Sequence, residues 1–365
     1  MIDLSAAFDL VDSDILIQKL RIYGLDEEFL IWIESYMKDR HQAVWIDHIF
    51  SDFIAHSIGV PQGSNLGPLF FLIFYNDIMS TLTCDIEAFA DDSTMSTTGK
   101  SLEEVSTALT ENSEKVVEWM RMNQLTLNAD KTHILTVGTA ERLATLENEV
   151  DVTMDGVKLV EAGEKFELLL GCQLEKNLKW HKQILELQKK LKKRLVGLQV
   201  LKYILPYGTL RSLTDGIFNS VLVYCLPLFG GCAIGEVKQL QVIQNKAVQV
   251  VTRSPPRSNR DTMYDRLQWL SVNQLITYHT IILAVFKIRQ SGEPEYLASF
   301  LRSDNRAGRI IIPNTRLTLA KRSFVWRGAL NWNLLPPNIR NLKKIGQFKR
   351  LAKPWVLGNV QRFLD

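Results

Sequence analysis

Apolar positions recur every three to four residues over 14–23 and 27–38, the stripe expected of amphipathic helices. Asp12 or Ser13 is placed to cap the first of these helices and Gly24 to end it. The runs 42–47 and 52–58 alternate or stay apolar as paired strands do. A loop, Gly59-Val60-Pro61-Gln62-Gly63-Ser64, then precedes the apolar run 66–82, which reads as a buried helix. Segments 84–88 and 93–98 read as the two arms of a hairpin. Ser101 caps a helix running to Asn123, with Glu103 and Glu104 in the first turn where the helix dipole favours acids. Residues 2–4 read as the end of a strand, and strands are expected over 132–137 and 165–170. Beyond about residue 178 helical periodicity takes over, at 180–203, 207–224, 237–253 and 272–290, punctuated by Pro206, Pro227 and Pro255-Pro256. The tail is rich in Arg and Trp, with a turn at Pro336-Pro337. The pattern predicts an α+β first half, with an antiparallel sheet carrying helices on one face, compatible with a split βαβ palm-like core. A mostly helical second half follows.

Composition is ordinary for a globular protein, with 46% hydrophobic and 23% charged residues, so it changes little. Charge distribution changes more. Residues 1–150 carry 9 Lys and Arg against 25 Asp and Glu, a net of −16, and residues 151–365 carry 34 against 15, a net of +19. An acidic half can concentrate divalent cations, and a basic half can hold a polyanion such as nucleic acid. Solvated faces that differ by chance are the plainer alternative. Cys84, Cys172, Cys225 and Cys232 are scattered without CxxC spacing, and the six histidines complete no zinc pattern. Reduced, buried thiols in an intracellular protein, nuclear or cytoplasmic, and no zinc, are the expectation. Asp3 and Asp9 interrupt the place of a signal-peptide core, and the longest apolar runs are too short or too interrupted to span a bilayer, so no membrane partner is expected.

Asp91 and Asp92 put two hard oxygen ligands at one hairpin tip, a donor set that suits Mg²⁺. If the strand ending near Asp3 pairs with that hairpin, Asp3 faces Asp91. Two or three carboxylates there suffice for two metal ions about 3.5–4 Å apart. Adjacent strand side chains point to opposite faces, which makes Asp92 the weaker ligand. For Asp9 and Asp12 a turn or cap role is preferred. Taken alone, a pair of aspartates is weak evidence.

The motifs Asp3-Leu4-Ser5-Ala6-Ala7-Phe8-Asp9, Gly59-Val60-Pro61-Gln62-Gly63-Ser64-Asn65-Leu66-Gly67-Pro68-Leu69-Phe70 and Phe89-Ala90-Asp91-Asp92 occur in this order. They resemble motifs A, B and C of a reverse transcriptase, of the type encoded by non-LTR retrotransposons (LINE elements, jockey-like). Asn123-Gln124-Leu125-Thr126-Leu127-Asn128-Ala129-Asp130-Lys131-Thr132 resembles motif D. Leu170-Gly171-Cys172-Gln173-Leu174 and Asn177-Leu178-Lys179-Trp180 resemble the primer-grip region and the start of the thumb. The resemblance implies a right-hand polymerase palm over 1–175 with its fingers largely missing, a helical basic thumb over 176–255, and an Arg/Trp-rich C-terminal region over 256–365. It implies an RNA-directed DNA polymerase working with two Mg²⁺ ions (Mn²⁺ being possible), an RNA template, a DNA primer and deoxynucleoside triphosphates. Asp3 and Asp91, with Asp92 assisting, become the metal ligands. Phe8 becomes the platform under the incoming sugar, Gln62 and Gly63 the loop that meets the nucleotide, and Lys131 the cation beside the leaving pyrophosphate. Alone, Phe8 reads as core and Lys131 as a surface lysine, whereas Gln62 has no packing reason to stand between Pro61 and Gly63.

Lys189, Lys190, Lys192, Lys193 and Arg194 form a basic stripe, expected to follow phosphates along a duplex, over Leu185, Leu191, Leu195 and Leu198 facing inward. The chain begins two residues before Asp3, so the basic fingers region of the family is expected to be missing and the strand carrying Asp3 to fray. Neither an endonuclease, an RNase H pattern nor a C-terminal zinc knuckle is recognised. A catalytically impaired remnant that only binds nucleic acid is the competing reading. A different metal-dependent phosphotransferase has only the acids in its favour.

Overall fold

Helix Ser13–Ile22 begins where Asp12 Oδ1 accepts the backbone N–H groups of Asp14 and Ile15, each at 2.9 Å. The side chain of Asp12 thus satisfies donors that the first turn leaves without partners. Helix Glu27–Met37 follows, and the two bury Leu16, Leu20, Leu30, Ile33 and Met37 in a core shared with helix Gly67–Tyr75. Between them and that third helix, Arg40–Gln42 pairs antiparallel with Ile54–His56, and Trp45–Ile46 with Ile49–Phe50. Of the runs expected to pair, 42–47 and 52–58, only Gln42 meets its partner, Ile54, while Trp45–Ile46 turns back on Ile49–Phe50 instead; Ser57 lies outside the described residues. The structure is a computed structural model that describes residues 1–56, 58–146, 150–161, 166–280, 285–303 and 308–364.

The buried run expected over 66–82 is helical only as Gly67–Tyr75, and then tightens into the 3₁₀ turn Asn76–Ser80. Pro68 in the first turn suits the start, and Ser64 Oγ accepts the Gly67 N–H at 2.9 Å. The tightening puts Asp77 against Lys19 Nζ at 2.8 Å and Trp119 Nε1 at 3.1 Å. Asp85–Phe89 and Asp92–Ser96 form the expected hairpin, with Phe89 opposite Asp92 and Ala88 opposite Ser93. Ser101 caps Leu102–Met122 by accepting the Glu104 N–H.

Among the described residues the antiparallel sheet is not continuous. Every sheet among the described residues has two strands. What joins the pieces near the hairpin is a pair of isolated bridges, Ile2 to Ser93 and Leu4 to Leu127. The expected strand 132–137 shrinks to His133–Ile134, which pairs in parallel with Val160–Glu161. The strand expected over 165–170 is present as Phe166–Leu169, with Lys165 outside the described residues. The fold is mixed helix and sheet, in which helix packing rather than a continuous sheet supplies the core.

The chain divides into two compact units, Met1–Leu170 and Gly171–Asp365. The second is built on helix His181–Leu201, which buries Ile184, Leu187, Leu191, Leu195 and Leu198. These positions are spaced by three and four residues and so lie on one stripe. Leu185, expected on that stripe, is instead 40% exposed. It sits about 100° around the helix from Ile184, so Ile184 and Leu187 take the inward places. The run 207–224 is helical as Tyr207–Thr214 and Ser220–Val223 around a π-helical turn, Asp215–Asn219. The wider turn opens the backbone ladder, and Arg194 Nη1 donates to the Ile217 carbonyl. Ile234–Thr252 begins three residues before the expected 237, and the run 272–290 appears as Val272–His279 and Lys287–Ser291, with 281–284 outside the described residues. Val272 and Ile276 share a core with Leu187 and Leu240, so packing continues across residue 255. A buried polar cluster adds to it: Gln241 Nε2 donates to Tyr264 Oη at 2.7 Å, and Tyr264 Oη donates to Gln244 Oε1 at 2.9 Å. Among the described residues no helix is long and apolar enough to cross a membrane.

Candidate active site

Residues 1–5 are the foundation of the site, and they are not frayed. The Ile2 N–H donates to the Ser93 carbonyl at 2.7 Å, and the Ser93 N–H returns to Ile2. On the other edge the Ser5 N–H donates to Thr126, the Asn128 N–H to the Asp3 carbonyl at 2.9 Å, and the His133 N–H to Met1. The Asp3 N–H reaches Thr132 Oγ1 at 3.3 Å. The expectation of a frayed strand fails because its ladder partners, residues 93 and 126–133, all lie later in the chain and hold it from both sides.

Pairing with Ser93 brings Asp3 toward the hairpin tip. Phe89 opposite Asp92 leaves Ala90 and Asp91 as a two-residue turn, and Ala90 has φ 55°, a left-handed conformation that costs a non-glycine residue about 1 kcal/mol or more. Asp91 therefore stands at the tip and Asp92 opens the returning strand. Desolvation, followed by the like charges of Asp91 and Asp3, holds the Asp92 carboxyl above its ordinary value. Lys131, ending the turn Ala129–Lys131, places Nζ 3.9 Å from Asp3 Oδ2. With the lysine side chain 70% exposed, that pair is loose and contributes at most about 1 kcal/mol.

Asp3, the adjacent pair Asp91-Asp92, and Lys131 thus come near one another from three separate segments. Among the described residues no three of His, Cys, Asp and Glu form a group that could hold a metal ion. The carboxylates are near neighbours rather than a closed cage. Mg²⁺ commonly takes only one or two carboxylates and completes its shell with water and substrate phosphates. The donor chemistry and the mutual repulsion recorded at Asp92 fit a divalent cation of that kind.

Phe8, Gln62 and Gly63 line one cleft of about 310 Å³ with Pro61, Gly67 and Pro68. The cleft depends on Gly59. Its φ is +80°, and a Cβ there would lie 2.6 Å from the Asp9 carbonyl oxygen. Only glycine lets the loop approach so closely that the Gly59 N–H donates to Val11 at 2.8 Å and the Val60 N–H to Phe8 at 2.9 Å. Gly63 has the same φ but nothing within 4 Å of a Cβ, so it faces open space. Gln62 Nε2 donates to Asp9 Oδ1 at 2.8 Å, a tie that the turn role preferred for Asp9 did not foresee. Phe8 is half-buried and stacks on Phe71 at 4.4 Å, so one face of its ring belongs to the core, and the residue also lines the cleft.

Sequence reasoning missed the support beneath these residues. Phe71 stacks on Tyr75 at 5.6 Å, and Tyr75 packs edge-on against Trp119 at 5.3 Å. Tyr75 Oη and Ser93 Oγ share a buried hydrogen bond of 2.9 Å. Burial, with the Asp91 charge as a smaller cause, pushes the Tyr75 phenol above its ordinary value. The aromatic run Phe70-Phe71-Leu72-Ile73-Phe74-Tyr75 reads only as core; a lone hydroxyl at the end of a buried helix is the signal available.

In the second unit, Lys189, Lys190, Lys192 and Lys193 are exposed on His181–Leu201. Lys189 is paired with Glu186. Arg194 departs from the stripe, because its guanidinium is half-buried and committed to Ile217.

Residues 1–198 match the profile of the reverse transcriptase (RNA-dependent DNA polymerase) family. A probable RNA-directed DNA polymerase from transposon BS of Drosophila melanogaster is 25% identical over 297 residues, which is 76% of this chain and 31% of that protein. The RNA-directed DNA polymerase from the mobile element jockey of Drosophila melanogaster is 23% identical over 265 residues, 70% of this chain and 28% of that protein. A probable RNA-directed DNA polymerase from transposon X-element of the same species is 22% identical over 340 residues, 88% and 36% respectively. The chain spans about a third of the length of the curated relatives it matches. Motifs in family order, a family match over more than half the chain and relatives in jockey-like elements agree: the chain belongs to the reverse transcriptase family, in its LINE-type, non-LTR branch.

Proposed function

We propose that this chain carries the nucleotidyl-transfer centre of an RNA-directed DNA polymerase, acting on a DNA primer annealed to an RNA template with deoxynucleoside triphosphates. Residues 1–175 serve as palm, 176–255 as thumb and 256–365 as the region that follows it. Asp3 and Asp91, with Asp92 assisting, are the residues that would hold two Mg²⁺ or Mn²⁺ ions. When bound, such ions lower the pKa of an attacking hydroxyl and compensate charge on the phosphates. Lys131, tethered loosely at Asp3, is free to turn toward the leaving pyrophosphate as a cation or proton donor. Phe8 presents its outer face to the incoming sugar, disfavouring a 2′-hydroxyl, while Gln62 and Gly63 meet the nucleotide. Gln62 exchanges its Asp9 hydrogen bond to do so. Lys189, Lys190, Lys192 and Lys193 track duplex phosphates, and Arg194 supports their helix.

The observation that carries this reading is the Ile2–Ser93 bridge, which sets Asp3 beside the turn that holds Asp91 and Asp92. Primer extension on an RNA template with Mg²⁺ tests it. Loss of incorporation in Asp91→Ala is expected, and equal incorporation by the variant and the parent chain refutes the assignment. A readout independent of turnover is the Asp92 titration, which Mg²⁺ lowers if the three carboxylates share an ion. An Asp92 titration indifferent to Mg²⁺ counts against the ligand set.

A further inference from the structure

The second unit holds a buried arginine that nothing among the described residues neutralises. Arg340 ends the short helix Pro337–Arg340 and is 7% exposed, yet its Nε and Nη1 have no hydrogen-bond partner among those residues. Other enclosed arginines of this unit are provided for. Arg362 pairs with Asp261 and Asp265, and Arg289 donates to the Leu301 carbonyl and lies over the Trp332 ring. Arg327, though its Nη1 is also unsatisfied, donates to the carbonyls of Pro227 and Arg322. The stretch of chain around Arg340 supplies no acid: residues 305–364 contain 13 Lys and Arg and neither Asp nor Glu. A second arginine stands beside it instead. Trp332 Nε1 donates to the Gly308 carbonyl at 2.9 Å, and Asn333 exchanges hydrogen bonds of 2.8 Å with both backbone groups of Ile310. These bonds fix the segment that carries Arg309. It lies against the turn after Arg340, where a Cβ on Gly308 would be 3.2 Å from Asn341 Oδ1. Burial first, and then the like charge of Arg309, holds the Arg340 guanidinium below its ordinary value.

We propose that Arg340 and Arg309 receive a phosphate group, from a nucleic-acid backbone or as free phosphate, at a site separate from the polymerase centre. A buried charge without a partner is costly, because it gives up its hydration and gains nothing in exchange. An anion bonded to the guanidinium offsets that cost and supplies acceptors for the donors the protein leaves open. Phosphate suits the site because its oxygens match the planar donor array of arginine and are numerous enough for two guanidinium groups, whereas a single carboxylate offers only two. Arg309 contributes the second positive charge. Lys343 and Lys344, both exposed and within a turn or so of Arg340 along the chain, add to the positive field that draws a polyanion in. The site lies outside residues 1–198, which carry the family match, and does not depend on the polymerase reading.

Thermal unfolding of the full chain in sodium phosphate, against sodium chloride and sodium acetate at equal ionic strength, tests the site. Phosphate is expected to raise the midpoint with the logarithm of its concentration in the parent chain and in Arg350→Met, which removes an exposed charge, and not in Arg340→Met. Arg309→Met is expected to keep only part of the rise. In chloride alone, Arg340→Met is expected to unfold no earlier than the parent, because it deletes an uncompensated charge and keeps an apolar stem. A parent chain that phosphate stabilises no more than acetate does overturns the proposal, as does an equal rise in Arg340→Met and Arg350→Met. An Arg340→Met chain that unfolds early, or does not fold, in chloride also overturns it, since the protein itself would then be holding the guanidinium. Binding of a fluorescein-labelled single-stranded RNA separates the two sources. With the backbone as source, Arg340→Met weakens RNA binding more than Arg350→Met does, and added phosphate competes. Equal weakening by the two variants, with the phosphate-dependent rise intact in the parent, assigns the site to free phosphate. No arm reads nucleotide incorporation, so a failure here and a failure of the polymerase assignment are told apart.

Discussion

The two glycines of the Gly-Pro-Gln loop share one backbone conformation and differ in what surrounds them, which makes them a controlled pair. Replacing either by Ala forces an L-residue to φ +80°, a cost of about 1 kcal/mol. For Gly63→Ala the cost ends there, since no atom lies within 4 Å of the new Cβ. For Gly59→Ala the Cβ falls 2.6, 2.7 and 2.8 Å from the carbonyl oxygen, Cα and carbonyl carbon of Asp9. Those are backbone atoms, so no rotamer change relieves the overlap. Either the loop or the 3₁₀ turn Ala7–Leu10 must move, which strains the Gly59-to-Val11 and Val60-to-Phe8 hydrogen bonds. Overpacking of this kind adds about 1–3 kcal/mol, for a total of about 2–4 kcal/mol. Amide hydrogen exchange of the 59–60 segment is the assay. One factor of ten in exchange corresponds to about 1.4 kcal/mol of opening free energy. Gly63→Ala should therefore accelerate exchange by no more than about tenfold, and Gly59→Ala by at least about thirtyfold. Equal acceleration by the two would refute the claim that close backbone approach, rather than φ alone, demands glycine at 59.

Tyr75→Phe removes one partner of a buried hydrogen bond and leaves Ser93 Oγ, in a residue 2% exposed, without it. A stability loss of about 1–2 kcal/mol is expected in urea unfolding, and a neutral result would show that the Tyr75 hydroxyl does not anchor the hairpin. The raised Asp92 carboxyl makes the folded chain bind more protons than the unfolded chain between the ordinary and the raised value, so stability from this group falls as pH rises through that window. In Asp91→Asn the Asp92 titration, followed by carboxyl NMR, should fall without reaching the ordinary value, because desolvation is the larger cause; no change would remove Asp91 from the site. Lys193→Ala should reduce the salt slope of primer–template binding by about one unit without loss of stability. Arg194→Ala should destabilise the second unit by about 1 kcal/mol through the Ile217 carbonyl, and the reverse pattern would restore Arg194 to the basic stripe.

What the sequence determined by itself was whatever rests on local rules. Asp12 and Ser101 cap their helices, the 84–98 hairpin turns at Ala90-Asp91, and the apolar stripes of the helices locate two cores. Family motifs in order carried the polymerase identity, because each needs particular residue types at short range. The tertiary structure alone decided where those pieces meet. Asp3 is secured by residues 93 and 126–133, partners that no periodicity in residues 1–5 could announce. Leu185 turned outward and Arg194 inward because one residue shifts a helical position by about 100°, and the π-turn at 215–219 offered a carbonyl that only the folded neighbour supplies. The continuous sheet gave way to two-stranded pieces because strand pairing is settled by non-local hydrogen bonds, whereas alternation along one strand describes only which face it buries.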